Sequence, residues 1–221
     1  MFLERVCLIS AVIAVALAAP RISGSMPTWH IPCGEPSSPA VSLKNLEEEM
    51  KTSLANLRLQ HQLTMNDYLN RDYEYLYERV RIGVDDHQYI PNWVPGKKDV
   101  NLIRKLATAN TPMIVNHYPK MHMDLQKFAV AFEELIVDEP SSQIRQALKA
   151  TQSYLTMMLC EVESNIVSLP TTIRLPTRVE RDIMSHTERN PVDETRRLIR
   201  DWGVILKYRD YLHAWRHVFD Y

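Results

Sequence analysis

DETRRLIRDWGVILKYRDYLHAWRHVFDY, residues 193–221, carries Leu198, Trp202, Ile205, Tyr208, Leu212, Trp215 and Phe219 at steps of three and four. That is the spacing of one helical face. Arg196, Arg200, Lys207, Asp210 and His217 fall on the other side. A helix over this stretch would be roughly 45 Å long. Two Trp and a Phe on one stripe hold too much apolar area to leave in water. The stripe therefore needs a groove of matching length, which only other long helices supply.

Upstream of it the pattern repeats. Ile144, Leu148, Thr151, Leu155, Met158, Val162, Ile166 and Leu169 predict helix C over Ser142–Leu169. Met121, Leu125, Phe128, Phe132 and Leu135 predict helix B from about His117 to Val137, with Pro119 in the first turn, where its missing N–H does no harm. The link Asp138-Glu139-Pro140-Ser141 is so short that B and C must form a hairpin. Leu43, Leu46, Met50, Leu54 and Leu57, continuing through His61, Met65, Tyr68, Tyr73, Leu76 and Val80, predict helix A over Ser42–Arg81. Glu47, Glu48 and Glu49 favour its N-terminal dipole. His61 reads as a packed histidine, and Trp202 and Trp215 as core.

Two long connections join these helices. Gly83–Lys98 carries Tyr89, Ile90, Trp93 and Val94 and reads as a loop pinned across the bundle by Trp93. Asp99 is expected to cap a short helical piece, Val100–Asn110, broken off by Pro112 and Pro119. Pro170–Pro191 is the second connection, with one helical turn expected near Val179–Met184. Long A–B and C–D connections with a short B–C link predict an all-α, up-up-down-down four-helix bundle over residues 42–221.

The N-terminus predicts export. Cys7–Ala18 is an apolar run of about a dozen residues, against the ~20 a membrane span needs, and it ends in the small-x-small site Ala16-Leu17-Ala18. Residues 1–18 read as a signal peptide and 19–41 as an irregular tail. Of the 3 cysteines, Cys7 leaves with the signal, so Cys33 and Cys160 remain for one disulfide. Cys160 lies on the far side of helix C from its apolar stripe, which suits a bridge to a tail wrapping the outside.

Little catalytic chemistry appears. Phosphate loops, G-x-S-x-G, CxxC and H-E-x-x-H are absent from the sequence. His213 and His217 share a face but have no third ligand nearby in sequence. Glu133-Glu134 and Asp85-Asp86 read as surface charge. No enzyme activity, cofactor or metal is expected. A formal net charge of -1 without a long basic run argues against nucleic acid.

In Trp202-Gly203 before an apolar run, then Trp215-Arg216, Val218 and Asp220, the last helix resembles that of the ciliary neurotrophic factor, leukaemia inhibitory factor and cardiotrophin family. His61-Gln62-Leu63, Asp67-Tyr68-Leu69 and the B–C junction Phe132-Glu133-Glu134-Leu135 to Pro140 are similar in character. The resemblance implies a secreted long-chain helical cytokine that cross-links cell-surface receptor chains through exposed helix faces. In that family a Phe-x-x-Lys motif at the start of helix D contacts a receptor; Arg197 and Arg200 stand at those positions, so the charge is kept and the aromatic is not. Arg197, Arg200, Lys207 and Trp93 are the expected receptor contacts. The rival expectation is a secreted carrier with an apolar ligand between its helices, for which 10 Met and 4 Trp supply lining.

Overall fold

The computed structural model describes residues 25–34, 45–71, 73, 89–169 and 173–221. The expected signal peptide, residues 35–41 of the tail, residues 74–81 of helix A and the loop residues 83–88 lie outside them.

Among the described residues every regular element is helical. In chain order these are α1 (Leu46–Leu69), α2 (Lys97–Arg104), α3 (Thr111–Val115), α4 (Tyr118–Asp138), α5 (Ser142–Ser168), α6 (His186–Arg189) and α7 (Glu194–Phe219). Single 3-10 turns form at Thr28–His30, Lys105–Thr108 and Arg181–Ile183. None of these helices is long and apolar enough to cross a membrane.

Local chemistry sets the ends. The Asn45 side chain accepts the Glu47 amide at 3.2 Å, and Ser141 and Asp193 cap α5 and α7 in the same manner. α1 stops at Leu69, so the unbroken helix expected to residue 81 is not formed. Asn70 is the C-cap, its amide reaching the Asn66 and Asp67 carbonyls, and asparagine is a poor residue for continuing a helix. The apolar stripe was still informative: Tyr73 is buried, its hydroxyl 2.7 Å from that of Thr151. α2 begins at Lys97, ahead of the expected Val100, because Asp99 acts from the third position and accepts the Gly96 amide at 3.0 Å. The predicted break between Asn110 and Pro119 is present, as α3 and the start of α4.

α1 packs against α5 and α7, and α4 packs against the same two helices, while α2 lies along α7. α1 meets α7 through Arg58 and the Asp220 carbonyl (2.9 Å) and through Tyr68 and the Ile205 carbonyl (3.1 Å). α4 meets α7 at Asp138–Arg200 (2.9 Å) and at Phe128–Tyr211, whose rings are 5.3 Å apart. α1 and the residues after it meet α5 through Thr64 with the Tyr154 carbonyl and Tyr73 with Thr151.

The most enclosed helix is α4, although the sequence pattern gave that place to α7. Val137 is the one exposed residue of α4, whereas α7 exposes Arg209, Asp210, His213, Arg216 and His217 along its second half. Residues 173–189 form a strap over the side that α5 and α7 do not cover. Arg178 pairs with Glu163 (2.5 Å), Arg181 with Glu133 (2.7 Å) and Arg189 with Glu134 (2.5 Å). Glu133 and Glu134 are thus strap anchors and not the solvated charges expected of them; Glu134 is buried. The Val179 amide donates to Gln126 and its carbonyl accepts the Trp29 indole at 2.7 Å. Trp29 is fully buried under the strap, and Cys33 is disulfide-bonded to Cys160 on the outside of α5, with Cα atoms 4.8 Å apart. Residues 25–34 lie against α5 and the strap and are tied there by this bridge.

Candidate functional site

Trp93, Arg200 and Lys207, three of the four expected receptor contacts, meet where the loop 89–96 and α6 pack on α7; Arg197 faces Glu194, Asp201 and Glu139 instead. Gly203 makes the loop's crossing of α7 possible. A Cβ there would stand 2.5 Å from Ile90 Cγ1 and 2.6 Å from its Cδ1, so only glycine lets Ile90 lie flat on the helix. One turn on, Lys207 Nζ donates to the Pro91 carbonyl at 2.6 Å and to the Val94 carbonyl at 3.3 Å. Burial lowers the affinity of this amine for its proton, with Asp99 pulling the other way.

Arg200, expected on the outer face, is 1% exposed. Its guanidinium donates to Asp138 at 2.9 Å, to Asp201 at 2.8 Å and to the Glu188 carbonyl at 2.7 Å. Burial opposes its charge, and Asp201 and Asp138 outweigh that cost. Arg197 is mostly covered and reaches Asp201 at 3.2 Å and Glu194 at 3.3 Å. Trp93 is half-buried, with its indole donating to Glu188 at 3.1 Å. Trp93 and Arg200 therefore hold the same residue, Glu188, from two sides. These polar groups fasten the loop and α6 to α7. Of the four, Arg200 alone is buried; Trp93, Arg197 and Lys207 keep part of their surface.

Two residues not singled out as contacts complete the patch. Tyr89 is 46% exposed and has a φ of 65°, a conformation that costs a non-glycine residue roughly 1–2 kcal/mol. The Arg196 guanidinium lies 4.6 Å from its ring centroid. An aromatic side chain held out of the core on strained backbone, under a cation, is an observation that points to recognition. The only hint in the sequence was that the loop is more apolar than a connection requires.

Beside this patch, α2 and α7 flank a groove of about 650 Å³. Ile90, Val100, Gly203 and Leu206 form its floor, and Lys97, Arg104, Lys207 and Asp210 its polar edge. His213 and His217 are exposed, and among the described residues no group of three His, Cys, Asp or Glu side chains could hold a metal ion. No protein-family model, curated protein or solved structure matches the chain.

Proposed function

We propose that the chain is a secreted helical cytokine of up-up-down-down topology, which binds and cross-links cell-surface receptor chains and performs no catalysis. The observation that carries this is the pattern of helix neighbours. Along α1 the residue numbers rise from Arg58 to Tyr68 while their partners on α7 fall from Asp220 to Ile205. Along α4 and α7 the pairs run from Phe128–Tyr211 to Asp138–Arg200, again in opposite senses. α4 and α5 form the hairpin, and Thr64–Tyr154 and Tyr73–Thr151 run oppositely between α1 and α5. Two helices of one sense, each flanked by the two of the other, support the cytokine arrangement.

The receptor contact on this reading is Tyr89, Trp93, Arg196 and the exposed edge of Arg197. Aromatic and arginine side chains dominate the energetics of such interfaces. The test is saturable binding of the exported protein to cells displaying a panel of cytokine-receptor ectodomains. Wild type is compared with Tyr89→Ala combined with Arg196→Glu, at matched helicity. Truncating hot-spot side chains should weaken binding by about tenfold or more. Equal binding would move the contact elsewhere, and no saturable binding on the panel would sink the cytokine reading. The carrier reading keeps one observation in its favour, the apolar-floored groove between α2 and α7. Lipid co-extracted in stoichiometric amount would favour it.

A further inference from the structure

α2 and the turn after it read KKDVNLIRK, residues 97–105. Lys97, Lys98, Arg104 and Lys105 are all exposed, whereas Val100 and Ile103 are buried. Seven residues make nearly two turns, so Lys97 stands below Arg104 and Lys98 below Lys105, about 10 Å apart along the axis. The two doublets form one outward face. Asp99, the acid in this segment, is held by Lys120 at 2.8 Å and by the Gly96 amide at 3.0 Å. Among the described residues, none of the four cations has a carboxylate partner.

Helix stability does not explain Lys97 and Lys98. They occupy the first turn of α2, where the helix dipole disfavours a cation. Arg209 adds to the face from α7, and its partner there, Asp210, supplies the carboxylate at the groove edge. Six cations (these five and Lys207) thus stand against Asp99 and Asp210, in a chain whose formal net charge is -1. Such a concentrated field favours a polyanion.

The rest of the face selects which one. A nucleic-acid strand is gripped by stacking on aromatic side chains, and α2 presents none. Membrane docking needs a broad apolar face, and α2 offers a single half-exposed Leu102. Asn101, exposed between the doublets, supplies an amide for hydroxyl groups. We infer that the outward face of α2 binds a sulfated polysaccharide, through the doublets Lys97-Lys98 and Arg104-Lys105. This rests on the reading of export, since sulfated glycosaminoglycans line cell surfaces and matrix. It does not depend on the receptor patch at Tyr89.

The test is retention of the intact exported protein on immobilised heparin, with Kd measured across a salt series. Lys97→Gln with Lys98→Gln is set against a control pair, Lys149→Gln with Arg174→Gln, which are exposed elsewhere. The α2 pair should weaken binding by about tenfold at low salt and flatten the salt dependence, with the control close to wild type. Adding Arg104→Gln and Lys105→Gln should abolish retention. Equal loss in both pairs would reduce the effect to general charge and overturn the inference. So would absence of retention by wild type, or tighter binding to phosphatidylserine vesicles or single-stranded DNA than to heparin. Receptor binding that survives while heparin binding fails would overturn this inference alone.

Discussion

His61 should make this fold sensitive to mild acid. It lies on α1 with no exposed surface, its ring 5.1 Å from that of Phe219, and Nδ1 is 2.5 Å from the Tyr221 hydroxyl. Burial drives its pKa down to about 3, with the Leu212 backbone opposing and Arg216 and His213 adding to the fall. Below the ordinary value of 6.5 the unfolded chain takes up a proton that the folded chain refuses. The stability His61 allows is therefore complete above pH 6.5 and drains away as the pH falls toward 3. At pH 5 the unfolded form is favoured by about 1.5 pH units at ~1.4 kcal/mol each, or about 2 kcal/mol. His61→Leu, similar in size and unable to protonate, removes that dependence. Urea unfolding followed by circular dichroism at pH 7.5 and 5.0 gives the difference. Wild type should lose about 2 kcal/mol more than the variant between the two pH values. Equal losses would refute the argument and place the acid sensitivity in other groups.

The other predictions concern the loop crossing. Gly203→Ala should destabilise by about 1–2 kcal/mol: overpacking against Ile90 costs about 1–3 kcal/mol, and better helix propensity returns up to about 1. With Ile90→Ala in place the sign should reverse, which a double-mutant cycle in urea would reveal. Arg200→Met leaves the Asp138 and Asp201 carboxylates without their shared cation and should cost about 3–5 kcal/mol, or prevent folding. Adding Asp201→Asn should recover part of that loss in thermal unfolding. An unchanged melting temperature for Arg200→Met would contradict the buried network.

The periodicity of the helices was legible because it depends on one face meeting one groove. The stripes of helices B, C and D, the hairpin at residues 138–141 and the outward Cys160 all followed from spacing alone. What spacing could not show is what the connections cover. Arg200, Lys207 and Glu134 lie off the stripes of α7 and α4, so a period-based pattern assigns them to water. The loop 89–96, α6 and the strap bury Arg200 and Glu134 and partly cover Lys207, and loop packing has no period. One residue did signal it. Gly203 sits mid-helix at a cost of up to about 1 kcal/mol relative to alanine, which indicates close approach by another chain segment. The early end of α1 was likewise present in Asn70, but the continuing apolar stripe outweighed it.

Because the connections cover the polar sides of the helices, the surface that can still be read by a partner is smaller than helical wheels suggest. A charge reversal at Arg200 would place a carboxylate beside Asp138 and Asp201, and one at Lys207 would turn an acceptor toward the Pro91 and Val94 carbonyls. Either would damage the fold, and lost binding would then say nothing about a receptor. Substitutions confined to Tyr89, Arg196 and the α2 doublets avoid this, since these side chains make no buried polar contact among the described residues. Loss of binding there, with unfolding curves unchanged, would report on recognition itself. The two faces also separate by chemistry: an aromatic–arginine patch should be only weakly affected by salt, whereas an array of unpaired cations should lose affinity steeply. A salt series run on both sets of variants would therefore show whether one partner or two engage the molecule.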